Sequence, residues 1–175
     1  IDPNHPVIYA SASSMDLPYL ASYVPSLDIV GMNEYGSIRT AHGKWDYLGF
    51  DKPYIFTEYG PYLSLDRPKD VNGKAIELSD IDKTKRYKEF NEQIYSFKGY
   101  SLGAFVFHLG ETTQESMTWW NINEGDFKRA SYWAIYEFYT GKKAPYIPIR
   151  LKSFSISKVL DVAPLEEIEV CVDVG

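Results

Sequence analysis

The sequence predicts an α/β fold built on a parallel sheet. Three observations carry this expectation: continuous apolar runs of strand length, amphipathic helical segments between them, and turn residues at the junctions. A strand buried on both faces reads as an unbroken apolar run, and parallel strands need covering helices. Strand and helix alternate through four repeats before the pattern changes. Two architectures fit: an open doubly wound sheet, or part of a (β/α)8 barrel.

Asp2-Pro3-Asn4-His5-Pro6 is a turn, and Val7-Ile8-Tyr9-Ala10 follows as a first buried strand. Ser11 to Ser14 is a polar loop. Leu17, Leu20, Tyr23 and Val24 share a face, giving a short helix over Met15–Val24 that stops at Pro25. Leu27–Met32 is the second strand, ending in Asn33-Glu34-Tyr35-Gly36. A weak helical segment at Lys44–Leu48 leads to the third strand, Tyr54–Thr57, which closes on Glu58-Tyr59-Gly60. Pro61–Leu78 is too long for an ordinary connection and reads as a functional loop or lid.

Ser79-Asp80-Ile81-Asp82 reads as a helix start with acids in the first turn. That helix runs to about Lys98, with Tyr87, Phe90, Ile94 and Phe97 on one face. Leu102–Phe107 is the fourth strand. A polar and aromatic loop, Glu111–Lys128, precedes a last helix at Ala130–Tyr139, with Gly141 as its C-terminal signal. No glycine-rich phosphate loop follows any strand, which disfavours nucleotide-binding versions of the open sheet. Residues 1–143 thus form one α/β unit, and residues 144–150 a linker. In 151–175, Ile168, Val170, Val172 and Val174 alternate with polar residues and Cys171, which predicts a half-buried antiparallel strand with Ser153–Ile156 as partner. This reads as the start of a β domain.

Composition narrows the function classes. The net charge of −6 argues against nucleic acid and anionic membrane partners. A single cysteine, Cys171, excludes an intrachain disulfide framework, and His5, His42 and His108 lack metal-type spacing. No metal or organic cofactor is implied. The chain contains 15 Tyr, 9 Phe and 4 Trp, residues that combine apolar bodies with polar handles and suit a sugar's C–H face as well as a core.

The chemistry is sought at the strand ends. Glu58 stands where an apolar strand finishes, either pairing with a cation or capping a helix, or serving a functional site. Alternation sends Asn33 and Tyr35 one way and Glu34 the other. Asn33 and Tyr35 can then orient Glu58. Trp119 and Trp120 follow the fourth strand, and polar groups with aromatics at successive strand ends describe a carbohydrate cleft.

Asn33-Glu34-Tyr35 followed by Lys52-Pro53 and Phe56-Thr57-Glu58-Tyr59-Gly60 resembles strands six and seven of the retaining (β/α)8 β-glycosidases that include β-galactosidases, β-glucuronidases and β-mannosidases. Asp2-Pro3-Asn4-His5-Pro6-Val7 resembles the turn into strand five. Ala104-Phe105-Val106-Phe107, Gly110, Gln114-Glu115 and Thr118-Trp119-Trp120 resemble strand eight and its loop. Ile149–Phe154 resembles the lead-in to the β-sandwich that follows. The resemblance implies the C-terminal half of a (β/α)8 TIM barrel, then the beginning of a β-sandwich domain.

It also implies Glu58 as nucleophile, Tyr35 as the residue orienting it, and Asn33, His108, Glu111, Trp119 and Trp120 as substrate-binding residues. The substrate would be an oligosaccharide or polysaccharide, with no nucleic acid and no membrane partner. The acid/base glutamate belongs to strand four, upstream of Ile1, so the chain is expected to need an N-terminal half of the barrel. Asn33-Glu34 is not expected to supply it, because a single strand–helix unit separates that pair from Glu58. One departure is Leu109, near the position where the family carries a Trp. A non-catalytic carbohydrate-binding barrel and a transglycosylase relative stay open as alternatives. A secreted, periplasmic or cell-surface location is favoured over the cytoplasm.

Overall fold

A computed structural model of the chain describes residues 3–110, 116, 118–145, 151–159 and 161–175. The described chain forms two compact units, Ile1–Lys143 and Ala144–Gly175. In the first, strands β1 (Ile8–Ser11), β2 (Ile29–Tyr35), β3 (Tyr54–Gly60) and β4 (Ser101–Val106) lie in the sheet order β1-β2-β3-β4. Every pairing is parallel. Helices α1 (Leu17–Tyr23), α2 (Ile38–Tyr47), α3 (Asp80–Ser96) and α4 (Ala130–Thr140) alternate with them. Crossovers of one hand in unreversed order place all helices on one face of the sheet. A doubly wound sheet needs a reversal of order. The arrangement is that of a partial (β/α)8 barrel.

The core lies between sheet and helices. Val30, Met32, Tyr54, Phe56 and Tyr59 are fully buried there against Leu17, Ile38, Tyr87 and Phe90. Burying a side chain such as Phe56 contributes about 1.5–3 kcal/mol. The opposite, concave-side face carries the alternate positions. On it Ile8 and Phe105 are 47% and 63% exposed, and among the described residues β1 and β4 each have an unpaired outer edge.

Local signals explain most boundaries. Ser79 caps α3 by accepting from the Asp82 amide at 3.2 Å, while its hydroxyl donates to Asp82 Oδ2 at 2.7 Å. Gly141 closes α4 in the left-handed region at φ 67°. Three elements differ from expectation. β2 continues through Asn33-Glu34-Tyr35, because β3 supplies their ladder partners Glu58, Tyr59 and Gly60. α2 starts at Ile38 rather than Lys44: Ile38, Ala41 and Trp45 form its buried stripe, and Gly43 on the exposed face does not stop it. The loop before α4 holds a small antiparallel hairpin, β5 (Asn123–Glu124) with β6 (Phe127–Lys128), turned by Gly125 and Asp126.

In the second unit, β7 (Leu151–Ile156) pairs antiparallel with β8 (Val170–Val174). β8 is exposed along its length rather than half-buried. The register sets Phe154 opposite Val172 and Ile156 opposite Val170, so the apolar alternation forms one face. A two-stranded ribbon has no second layer to bury that face.

His42 on α2 sits between Phe97 and Trp45, stacked on Phe97 at 3.9 Å, and its Nδ1 lies 2.8 Å from the Tyr54 hydroxyl. Burial holds its pKa below the ordinary 6.5 and Arg39 acts in the same direction, against the nearby Asp46 carboxylate. The fold therefore favours the neutral ring, and the unfolded chain takes up the proton first. Stability is expected to be flat above pH 6.5 and to fall as pH drops from there through the folded-state value. Urea unfolding from pH 7.5 to 5 should show this slope, and His42→Phe should remove it.

Candidate functional site

The C-terminal ends of β2, β3 and β4 meet at one cluster. Tyr35 donates its hydroxyl to Glu58 Oε2 at 2.5 Å. Burial, the hydrogen bond to Glu58 and the carboxylate's charge push the Tyr35 phenol well above its ordinary range, so it stays protonated and donates. The Tyr35 ring meets Phe107 edge-on at 5.9 Å and Trp120 at 5.7 Å. Gly60 makes room for it, since a Cβ there would come within 3.2 Å of that ring.

β3 is bulged at this point. Met32 pairs with Phe56, but Asn33 pairs with Glu58, leaving Thr57 as an extra residue. Thr57 Oγ1 donates to Asn33 Oδ1 at 2.7 Å. Simple alternation along β3 gives no hint of the bulge, so sequence reasoning missed Thr57.

Glu34 faces the other way, as alternation requires. It is 5% exposed, and its two oxygens accept from the Ser14 amide at 2.7 Å and the Ser37 hydroxyl at 2.6 Å. That carboxylate tethers the Ser14–Asp16 turn and the start of α2. Lys52, part of the motif that flags β3, donates to the Pro25 and Leu27 carbonyls and ties the strand starts together.

Trp119 and Trp120 are 5% and 3% exposed. Trp119 Nε1 donates to the Tyr62 carbonyl at 2.8 Å, and Trp120 backs Tyr35, so neither ring offers an open face among the described residues. His108 is half-buried, and its backbone bonds to Trp120 and Ile122 at 3.3 Å each. Leu109 is exposed beside it. Glu111, Gln114 and Glu115 lie outside the described residues, as do Ile149 and Arg150.

A buried ion pair, also unforeseen, anchors this loop. Lys83 on α3 pairs with Glu77 and donates to the Thr118 carbonyl at 2.5 Å. Glu77 Oε2 accepts from the Ser116 and Thr118 hydroxyls at 2.9 Å each. Burial would raise the Glu77 pKa, but Lys83 and the two hydroxyls outweigh it and hold the carboxyl below its usual range. Burial falls hardest on Lys83, which is pushed below its ordinary value despite the partner.

Among the described residues, no group of three or more His, Cys, Asp or Glu could hold a metal ion, and no helix is long and apolar enough to cross a membrane.

No known protein family and no curated protein matches the chain. Solved structures do. One is a GH113 beta-1,4-mannanase, with TM-score 0.50 and 13% identity over 78% of this chain and 46% of that chain. Another is an exo-beta-agarase, with TM-score 0.53 and 18% identity over 79% of this chain and 20% of that chain. The fold is glycoside hydrolase-like. The chain spans less than half of the mannanase and a fifth of the agarase.

Proposed function

We propose that the chain carries the nucleophile side of a retaining β-glycosidase cleft, of the β-galactosidase, β-glucuronidase and β-mannosidase type. The observation that carries the reading is the 2.5 Å bond from Tyr35 to Glu58 at the ends of adjacent parallel strands. A glycoside hydrolase-like fold gives that pair its context, because loops at these strand ends carry the chemistry in barrels.

In the first step Glu58 attacks the anomeric carbon. The C–O bond to the leaving group breaks, and a second carboxylic acid protonates the departing oxygen. In the second step that group, now a carboxylate, deprotonates water, which displaces Glu58. Retention places the two carboxyl groups roughly 5–5.5 Å apart. Glu34 does not fill the second role, because both its oxygens are engaged behind the sheet. By the resemblance, the acid/base would come from strand four, one of further barrel strands that would cover the edges of β1 and β4. Sugar hydroxyls would meet Asn33, His108 and Glu111, while Trp119 and Trp120, expected from the sequence as platforms, would support the site from behind Tyr35. Such an enzyme acts on an oligosaccharide or polysaccharide, in a secreted, periplasmic or cell-surface setting.

The test is to treat the full-length protein with 2-deoxy-2-fluoro-glycosides and map the label by mass spectrometry. Label on Glu58 is expected, and the reactive sugar names the substrate class. Residues 1–175 alone are expected to hydrolyse no aryl β-glycoside. Cleavage by them that Glu58→Gln abolishes would refute the need for a second half.

A second reading, a glycan-binding barrel without turnover, is favoured by one observation: Leu109 lies exposed near the position where the resembled family carries Trp. Glycan binding by the full-length protein with no label on Glu58 would establish it. A transglycosylase relative is separated from a hydrolase by product analysis at high acceptor concentration.

A further inference from the structure

We infer that Tyr62 is a positioning residue for the Tyr35–Glu58 pair: its ring packs on the turn that follows Tyr35, and its carbonyl holds the segment that packs on the Tyr35 ring. The inference rests on the glycosidase reading above where it predicts turnover.

Tyr35 has to set one hydroxyl on one carboxylate oxygen, so the placement of its backbone and ring decides the bond. The chain runs from Tyr35 directly into Gly36, which turns in the left-handed region at φ 84°. A Cβ at position 36 would come within 2.5 Å of Tyr62 Cδ1 and 2.7 Å of Tyr62 Cε1. The Tyr62 ring therefore lies directly against the backbone of this turn, and position 36 has no room for a side chain.

Tyr62 itself is half-buried and stands just past the end of β3, after the fully buried Pro61. The Arg86 guanidinium on α3 sits over its ring, 4.6 Å from the centroid, and helps to hold it. The Tyr62 carbonyl accepts from Trp119 Nε1 at 2.8 Å. An indole N–H can only donate, so this bond has a single sense. Trp120 follows, with its ring 5.7 Å from that of Tyr35. Residue 62 thus meets Tyr35 by two routes: the backbone through Gly36, and the ring through Trp119 and Trp120. Removing the Tyr62 ring loosens both routes and leaves the Tyr35 and Glu58 side chains in place. A displacement of about 1 Å at a preorganised donor is enough to slow a reaction substantially.

The experiment uses the full-length protein as wild type, Tyr62→Phe, Tyr62→Ala and Trp119→Phe, the first and third also combined with Tyr35→Phe, and Tyr62→Ala likewise. Tyr62→Phe keeps the ring and the carbonyl, whereas Trp119→Phe keeps a ring but removes the donor at the other end of the link. Aryl β-glycoside kinetics are measured beside NMR of protein labelled at tyrosine Cζ, with the Tyr35 signal assigned by its loss in Tyr35→Phe. Tyr62→Ala should lower kcat about tenfold with KM within about twofold, and Tyr62→Phe should stay within about twofold of wild type. Trp119→Phe should lower kcat in the same sense. Neither loss should add to that of Tyr35→Phe, because both act through Tyr35. The Tyr35 Cζ signal should move toward that of a solvent-exposed tyrosine in Tyr62→Ala and Trp119→Phe, and stay put in Tyr62→Phe. Full additivity with Tyr35→Phe, a Tyr35 signal unmoved in both Tyr62→Ala and Trp119→Phe, or equal damage from Tyr62→Phe and Tyr62→Ala overturns the inference. If Tyr62→Ala does not fold, Trp119→Phe decides by the same two readouts. Turnover with an unmoved Tyr35 signal removes this inference alone. A moved Tyr35 signal in a protein that turns over no glycoside removes the catalytic reading and supports the positioning role.

Discussion

On the proposed retaining mechanism, Glu58→Gln in the full-length protein is expected to lower β-glycoside turnover at least about ten-thousand-fold, the scale on which removal of a covalent nucleophile is felt. The carboxamide keeps an oxygen to accept from Tyr35, so the melting temperature should stay near wild type and the loss reads as chemistry rather than unfolding. Glu58→Ala with added azide should form a glycosyl azide of inverted configuration, because azide then attacks from the face Glu58 vacated. Tyr35→Phe should cost less, about a hundredfold in kcat with little change in KM, because it removes one preorganised donor and leaves the nucleophile. The Tyr35 pKa lies well above its ordinary value, so this donor should persist across the working pH range. Equal losses for Tyr35→Phe and Glu58→Gln would contradict the division of roles. So would retained turnover in Glu58→Gln.

Where the sequence was legible, local chemistry decided the structure. The apolar run Tyr54-Ile55-Phe56 marks a core strand with Tyr54 and Phe56 fully buried, Ser79 and Asp82 mark a helix start, and Gly141 can adopt the left-handed turn that ends one. The pairing of Tyr35 with Glu58 was legible only in part: alternation along β2 sends Tyr35 to the inner face, but Glu58 reaches that face through the bulge at Thr57. What stayed hidden depends on partners far along the chain. The bulge at Thr57 arises from the fit of β3 to both neighbours, and an apolar run carries no mark of it. The Trp119 and Trp120 side chains look like platforms in sequence, yet the Tyr62 carbonyl and the Tyr35 ring claim them in the fold. Lys83 reads as an ordinary polar position on an amphipathic helix, because Thr118 is 35 residues away.

Lys83 also carries the largest expected effect on stability. Its side chain is 4% exposed and that of Glu77 26%. Removing one member of a buried pair leaves an uncompensated charge, so Lys83→Ala should lower the unfolding free energy by about 3 kcal/mol, the low end of the usual range because Glu77 keeps some water. Urea titration should show a lower midpoint at an unchanged slope. The double substitution Lys83→Met with Glu77→Leu should recover most of the loss, because it removes both desolvation costs together. If the single and double variants are equally destabilised, packing rather than charge accounts for the effect. Acid gives an independent check. The Glu77 pKa lies below its ordinary 4.5 in the fold, so the unfolded chain protonates first. The contribution of Glu77 is present in full above that value and is lost as pH falls from 4.5 through the folded-state pKa. Glu77→Gln should flatten that acid limb. The same pair holds Ser116 and Thr118 next to Trp119 and Trp120, and Trp120 packs on Tyr35, so on the proposed mechanism loosening it should also lower turnover in the full-length protein.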